Sequence, residues 1–227
     1  MKELFLSFKY SFCSGTGELE GERYIQNVFV EIYASDIDAD DDEVLIGKSR
    51  LKLMLINQAI EDHFCLSQLF DTDPDLFFVG DQVFDLENED ICQIVQDKYP
   101  ECCLNSNICV LERLVLIPEY RGYGISQKVI KDAIFHFMTA CGLFVIHPFP
   151  LQFEAEHCMG EDTWEDKNWY KGFEQDEKKA FKQLTAFYQK LGFEKIKGLE
   201  SLLFYCPFYK NKKLDKIDLN ELTVIRD

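Results

Sequence analysis

Apolar and polar positions alternate with period two in three early stretches, residues 3–12, 26–33 (QNVFVEIY) and 44–56 (VLIGKSRLKLMLI). That period belongs to a strand with one covered face, so each stretch predicts a strand. In the third, Arg50 and Lys52 alternate with Leu51, Leu53 and Leu55, which predicts a half-exposed cationic face. Between the first two, SGTGELEGE reads as a Gly-rich turn, since no helix follows it. From 57 to 100 the pattern is mixed. AIEDHFCLSQLFD reads as helical with His63 at its surface, LFFVGDQVFD as extended, and LENEDICQIVQDKYP as an amphipathic helix that Pro100 stops.

The second half is more regular. Residues 114–117 form an apolar run long enough for a buried strand, which begins at Cys109. Ile125, Val129, Ala133 and Phe137 then recur every four residues, the buried face of a helix within 122–141 whose polar side carries Lys128 and Lys131. GLFVIHPFPLQF (142–153) predicts another strand. A second helical face joins Ala180, Leu184, Phe187 and Leu191, with Gly192 at the C-cap. Strands are predicted again at 193–197 and 200–206. Between the 142–153 strand and this helix lies a long polar stretch, 154–177, whose Trp164, Trp169 and Tyr170 are candidates to wall a binding site.

The segment with the most chemical content is LERLVLIPEYRGYGISQKVI (111–130). Pro118 ends the strand, and Gly122 and Gly124 sit where the backbone turns sharply into the helix. Free N–H groups at such a helix start, where the dipole is positive, suit phosphate oxygens. Two familiar phosphate loops fail here. There is no Gly-x-x-x-x-Gly-Lys-Ser/Thr, and Ser126 replaces the last glycine of a Gly-x-Gly-x-x-Gly.

Residues 114–130, with Pro118, Arg121, Gly122 and Gly124 in register, resemble the Arg-x-x-Gly-x-Gly/Ala pyrophosphate loop of the GNAT superfamily of N-acetyltransferases. FYQKLGF (187–193) resembles the Phe-Tyr-x-Lys-x-Gly-Phe that closes a later helix in that superfamily. Ser126 departs from the first motif at its last small position, and the Asn that often precedes the later helix is missing between Lys171 and Lys190. The resemblance implies an α+β fold: a mixed central sheet flanked by helices, with two central strands splayed around acyl-CoA. The chain then divides into a divergent N-terminal half (1–105), a CoA-binding half (106–208) and a charged tail (209–227), within one domain. The early order departs from the superfamily, which places two short helices between its first two strands. The implied reaction is acetyl transfer from acetyl-CoA to a primary amine by direct attack. The cofactor residues would be Leu116 and Ile117 through their main chain, and Arg121, Gly122, Tyr123, Gly124, Ile125 and Ser126. Tyr188 would protonate the CoA thiolate. For the base, Glu112 on the strand before the loop is the first candidate, with His147 and Glu154 as rivals. The same fold can also serve without turnover, as an acyl-CoA-binding sensor or interaction module. Pairing into a homodimer through C-terminal strands is a further implication.

Charge narrows the partners. A net charge of −17 argues against nucleic acid and suits a cationic amine acceptor, small molecule or peptide. Nine cysteines without a Cys-x-x-Cys read as buried thiols, and no metal is expected. SDIDADDDE (35–43) lacks the glycine and the terminal Glu of a calcium loop and reads as a solvated hairpin loop. No apolar run reaches the eighteen or so residues that cross a bilayer, and the N-terminus shows no cleavable leader, so no membrane association and a cytoplasmic location are expected.

Overall fold

Three long strands come first, as the alternation requires: β1 (Lys2–Ser14), β2 (Ile25–Asp36) and β3 (Val44–Met54). The computed structural model describes residues 2–14, 20–37, 43–154 and 167–225. Four short helices follow, α1 (Ile56–Glu61), α2 (Leu66–Phe70), α3 (Pro74–Val83) and α4 (Gln93–Lys98), with a two-stranded hairpin, β4 (Phe84–Asp85) and β5 (Asp90–Ile91), before the last. The second half runs β6 (Ile108–Leu116), α5 (Ile125–Phe137), β7 (Leu143–Ile146), α6 (Glu177–Lys190), β8 (Leu203–Tyr205), α7 (Lys212–Asp215) and β9 (Thr223–Ile225). The result is an α+β fold around one mixed seven-stranded sheet, ordered β8-β7-β6-β3-β2-β1-β9. Among the described strands only β6 and β7 run parallel, which the crossover through α5 permits.

The sheet separates two cores. Val28, Val30, Ile32 and Ala34 of β2 pack with Ile125, Val129 and Ala133 of α5 and with Tyr188 and Leu191 near the end of α6. On the other side, Leu66, Phe70, Leu76, Val79 and Val83 from α2 and α3 cover Val110, Leu143, Val145 and Phe204. Strand β7 is therefore buried on both faces, Leu143 and Val145 on one, Phe144 and Ile146 on the other.

Several expectations are revised. Residues 76–85 were expected to be extended, but 74–83 form α3. Asp73 caps it, accepting from the N–H of Asp75 at 2.8 Å and of Leu76 at 3.2 Å, and Pro74 takes the first turn. Leu76, Val79, Gly80 and Val83 then bury one helical face. The predicted helix after Asn57 is two short ones, interrupted where His63 adopts φ +56°. The strands expected at 193–197 and 200–206 shrink to a single bridge, Glu194 with Phe204, and to the three residues of β8. Phe193 and Ile196, three residues apart, face opposite cores, and Gly198 turns the chain at φ +95°.

Lys128 and Lys131 are not a solvated face. Lys128 is buried and donates to the Glu221 carbonyl and, at 3.3 Å, to Thr223 Oγ1, while Lys131 donates to the Ile217 carbonyl. They hold the C-terminal segment over α5 and so position β9 against β1. Lys52, expected to be half-exposed, is buried too, because the start of α3 covers it.

Candidate functional site

The parallel pair at the centre of the sheet is zipped for only three residues, Ile108–Val110 against Leu143–Val145. Beyond them β6 continues to Leu116, whereas β7 gives way to His147-Pro148-Phe149-Pro150. Two prolines in four residues cannot supply the donors a ladder needs, so the strands part. On its other edge β6 carries a bulge. Arg113 pairs with Arg50 and Leu111 with Leu51, leaving Glu112 as the extra residue. The bulge resets the alternation, so that Cys109 and Leu111 before it and Leu114 and Leu116 after it all face the same core.

The gap is a cleft with two compartments. One, of about 260 Å³, lies between the parted strands and α6 and is lined by Leu114, Pro148, Phe173, Leu184, Phe187 and Tyr188 among others. The other, of about 650 Å³, reaches the start of α3, with Arg50, Asp73, Asp75, Val79, Arg113 and Glu154 in its wall. Glu112, His147, Phe149 and Leu151 line both. Their junction is therefore the place where groups bound on the two sides would meet.

The ionisable groups there are unequal. Glu112 faces the junction, but Arg50 Nε holds its carboxylate at 2.5 Å and Lys52 Nζ at 3.0 Å. Both oxygens of that carboxylate are thus engaged by cations. Lys52 also bonds Asp73 at 2.6 Å. Burial alone would raise the Asp73 carboxyl. The Lys52 contact and the two capping N–H groups outweigh it and hold the group below the ordinary range. Asp75 is open to solvent at the rim. Even so, the protein mass around it, together with the charges of Asp73, Glu112 and Glu154, holds its carboxyl above the ordinary range. His147 is half-buried between Phe78 and Phe149, with ring centroids at 4.7 and 6.1 Å. Burial pushes its imidazole below the ordinary value, against the opposing charge of Asp75, so it is neutral at neutral pH. Tyr188 presents a phenol from a ring packed on Phe187 and Phe193, and burial pushes it up to about 12.

The glycine turn lies at the far end of β6. Gly122 and Gly124 have φ of +84° and +80°, and a side chain at either would meet nothing within 4 Å. Glycine is needed here for the backbone angle alone, and the space outside the turn is open. The N–H groups of Gly124, Ile125 and Ser126, at the start of α5, meet no acceptor among the described residues. Beside them a depression of about 450 Å³ is lined by Tyr123, Gly124, Gln127, Lys190, Lys213 and Lys216, among others. Leu191, in the same wall, lies less than a turn of α6 from Tyr188, so the depression and the cleft adjoin along one helix. Gly192 fixes that helix end. Its N–H donates to the Gln189 carbonyl at 3.1 Å and that of Phe193 to Tyr188 at 3.2 Å, the two bonds of a Schellman cap.

Two of the expected main-chain contacts are already engaged. The Ile117 N–H donates to Ile46 at 2.8 Å, and the Leu116 carbonyl accepts from Arg121 Nε at 2.9 Å. Arg121 itself points inward. It donates also to the carbonyls of Lys171, at 2.8 Å, and Trp169, and stacks 3.8 Å over Phe173. With three of its five donors on carbonyls, Arg121 ties residues 169–173 to the end of β6. That staple sets Phe173, rather than Trp169 or Tyr170, in the cleft wall. Trp169 lies instead beneath Lys48, 5.9 Å away. Trp164 and residues 38–42 of the acidic loop lie outside the described residues.

Among the described residues no cluster of His, Cys, Asp or Glu could hold a metal ion, and no helix is long and apolar enough to cross a membrane. No protein-family model, curated protein or solved structure matches the chain.

Proposed function

We propose that the protein is a GNAT-fold N-acetyltransferase that moves an acetyl group from acetyl-CoA to a primary amine. The parting of β6 and β7 carries this reading, because it opens a cleft beside a bulged strand with a neutral imidazole and a phenol at its sides. The extended pantetheine would lie along the free edge of β6 in the narrower compartment, in the manner of an added strand. Its pyrophosphate would meet the open N–H groups at Gly124, Ile125 and Ser126, with Lys190, Lys213 and Lys216 toward the remaining phosphate.

Acetyl transfer breaks the thioester C–S bond, forms a C–N bond, and moves one proton from nitrogen to sulfur. His147 takes the proton as the attacking nitrogen becomes acidic, and Glu112, held by its two cations, orders the cleft floor. Tyr188 serves the departing sulfur. Burial makes the phenol a weaker acid than a thiol, so complete transfer to the thiolate is uphill in the free protein. Its main contribution is therefore a hydrogen bond to the developing thiolate, the proton following as the product leaves.

Calorimetric titration with acetyl-CoA and CoA tests the cofactor half of the proposal. Micromolar binding is expected, abolished in Gly124→Glu, which sets a carboxylate in the open space beside the turn. Tyr188→Phe should keep that affinity and lose turnover by about 10²-fold or more. Wild-type protein that binds neither ligand would end the acetyltransferase reading. Binding without turnover of any amine would favour a sensor of acyl-CoA.

A further inference from the structure

The long first strand leaves most of one sheet edge open. β1 has thirteen residues, yet β9 covers only Lys2–Leu4 of its outer side. On the side of β2, the Glu3 carbonyl accepts from the Ile37 N–H at 3.1 Å. Main-chain groups alternate sides along a strand, so the odd-numbered residues serve β2 and the even-numbered ones face outward. The outward groups of Leu6, Phe8, Tyr10 and Phe12 meet no partner among the described residues. Edges of this length are ordinarily blunted by a proline, a bulge or several charges. Residues 5–14, FLSFKYSFCS, hold no proline or glycine, and their ladder with β2 runs without a register shift. Exposed aromatic rings mark the same edge. Phe12 is 69% exposed, and His136, packed on Tyr10, carries Phe135 at 66%.

Charge selects the occupant. With 41 acidic residues and a net charge of −17, copies of the chain repel one another over most of their surface. Residues 5–14 hold no carboxylate, and their one cation, Lys9, is neutralised by Glu43 at 2.7 Å. A charged partner strand would find no counter-charge at this edge, whereas an identical strand needs none.

We propose that two copies of the chain join here, β1 pairing antiparallel with the partner's β1 about a twofold axis at Tyr10 and merging two seven-stranded sheets. Tyr10 is the midpoint of the open stretch from Leu6 to Ser14. In this register Phe8 lies opposite the partner's Phe12, an aromatic cross-strand pair that the twofold repeats, and Lys9 falls opposite the partner's Ser11. An axis at Lys9 would set two lysines face to face and run the partner's strand into Leu4, which Thr223 already holds. With the axis at Tyr10, Leu6 meets the partner's Ser14, the last residue of that strand, so the added strand stops where β9 begins. The opposite edge offers less, because β8 has three residues and Phe204 is bridged there by Glu194. Nothing in this interface depends on the acetyltransferase reading.

Sedimentation velocity on the whole chain should show a species of twice the 26.6 kDa chain mass. Phe12→Pro removes an outward N–H and leaves the ladder with β2 intact. The twofold counts that loss twice, so the dimer should weaken by about 10–100-fold. The register is read separately. Ser7 falls opposite the partner's Cys13 in a pair without main-chain bonds, the close kind that a disulfide spans. Ser7→Cys treated with oxidised glutathione should therefore run as a covalent dimer, its two thiols oxidised as the glutathione disulfide is reduced. Ser7→Cys combined with Cys13→Ser should not. A chain that stays monomeric overturns the inference and leaves the edge to a different partner. A dimer that Phe12→Pro leaves intact, or that Ser7→Cys never crosslinks, overturns it by placing the contact elsewhere. Where Phe12→Pro fails to fold, the crosslink alone decides.

Discussion

Lys52→Met tests whether the floor of the cleft is held together by charge. The lysine side chain is 7% exposed, and its ammonium lies 2.6 Å from Asp73 and 3.0 Å from Glu112. Breaking a buried pair commonly costs about 3–5 kcal/mol, because the remaining charge is stranded. Both partners here have a fallback. Glu112 keeps Arg50 at 2.5 Å, and Asp73, 32% exposed, keeps water and its two capping N–H groups. The expected loss is therefore about 2–3 kcal/mol, with the methionine chain replacing most of the lost packing. For a chain of this length that is a fall in Tm of roughly 4–12 °C. Urea unfolding monitored by tryptophan fluorescence would measure it. The pH dependence gives an internal check. The Asp73 carboxyl lies lower in the folded protein than in the unfolded chain, so its contribution is complete above the unfolded value, near 4, and is lost as pH falls through the folded one. The gap between wild type and variant should narrow over that acid range. A loss below about 1 kcal/mol at neutral pH, or a gap that widens in acid, would refute the reasoning.

Further outcomes follow from other parts of the molecule. Gly80→Ala places a methyl 2.3 Å from Cγ of Phe70, itself fully buried, and should cost about 1–3 kcal/mol despite alanine's better helix propensity. An unchanged urea midpoint would contradict it. His147→Gln should lower kcat by about 10²–10³-fold and remove an inflection in the kcat/KM profile that lies below the usual imidazole value of about 6.5. Persistence of that inflection in the variant would shift the role to another group. Asp75→Asn should stabilise the ligand-free protein at neutral pH. A carboxyl raised on folding contributes stability below its unfolded value and loses it as pH rises through the folded one. After discounting for its exposure the gain is about 0.5 kcal/mol, and a destabilised variant in chemical denaturation would count against that reading.

The elements that the sequence made legible are those whose periodicity is undisturbed. β1–β3 and the Ile125-Val129-Ala133 face of α5 appear where alternation and fourfold spacing place them, since each presents one face to a core. α3 was hidden because Phe77 and Phe78 thicken its apolar pattern toward that of a strand, while its start is announced only by Asp73-Pro74. In the cleft, the glycine turn was legible from its two glycines, Tyr188 entered only through the resemblance of FYQKLGF, and His147 only as a rival to Glu112. The partners of Glu112 were not, because Arg50 and Lys52 lie some sixty residues earlier and are brought to it by strand pairing. The inward turn of Arg121 was equally hidden, since its acceptors are carbonyls, which every residue has.

The bulge at Glu112 also divides β6 into two reading frames. Pleating gives every second residue the same side, so an uninterrupted ladder would turn Leu114 and Leu116 away from the core that holds Cys109 and Leu111. Removing Glu112 would straighten the strand without changing its frame. Leu111, Leu114 and Leu116 would then follow by plain alternation, and Arg113 would stay opposite Arg50. What would go is the local bend and the carboxylate that Arg50 and Lys52 share. The extra residue thus sets the shape and charge of the cleft floor, and a deletion there should spare the core while disabling the cleft.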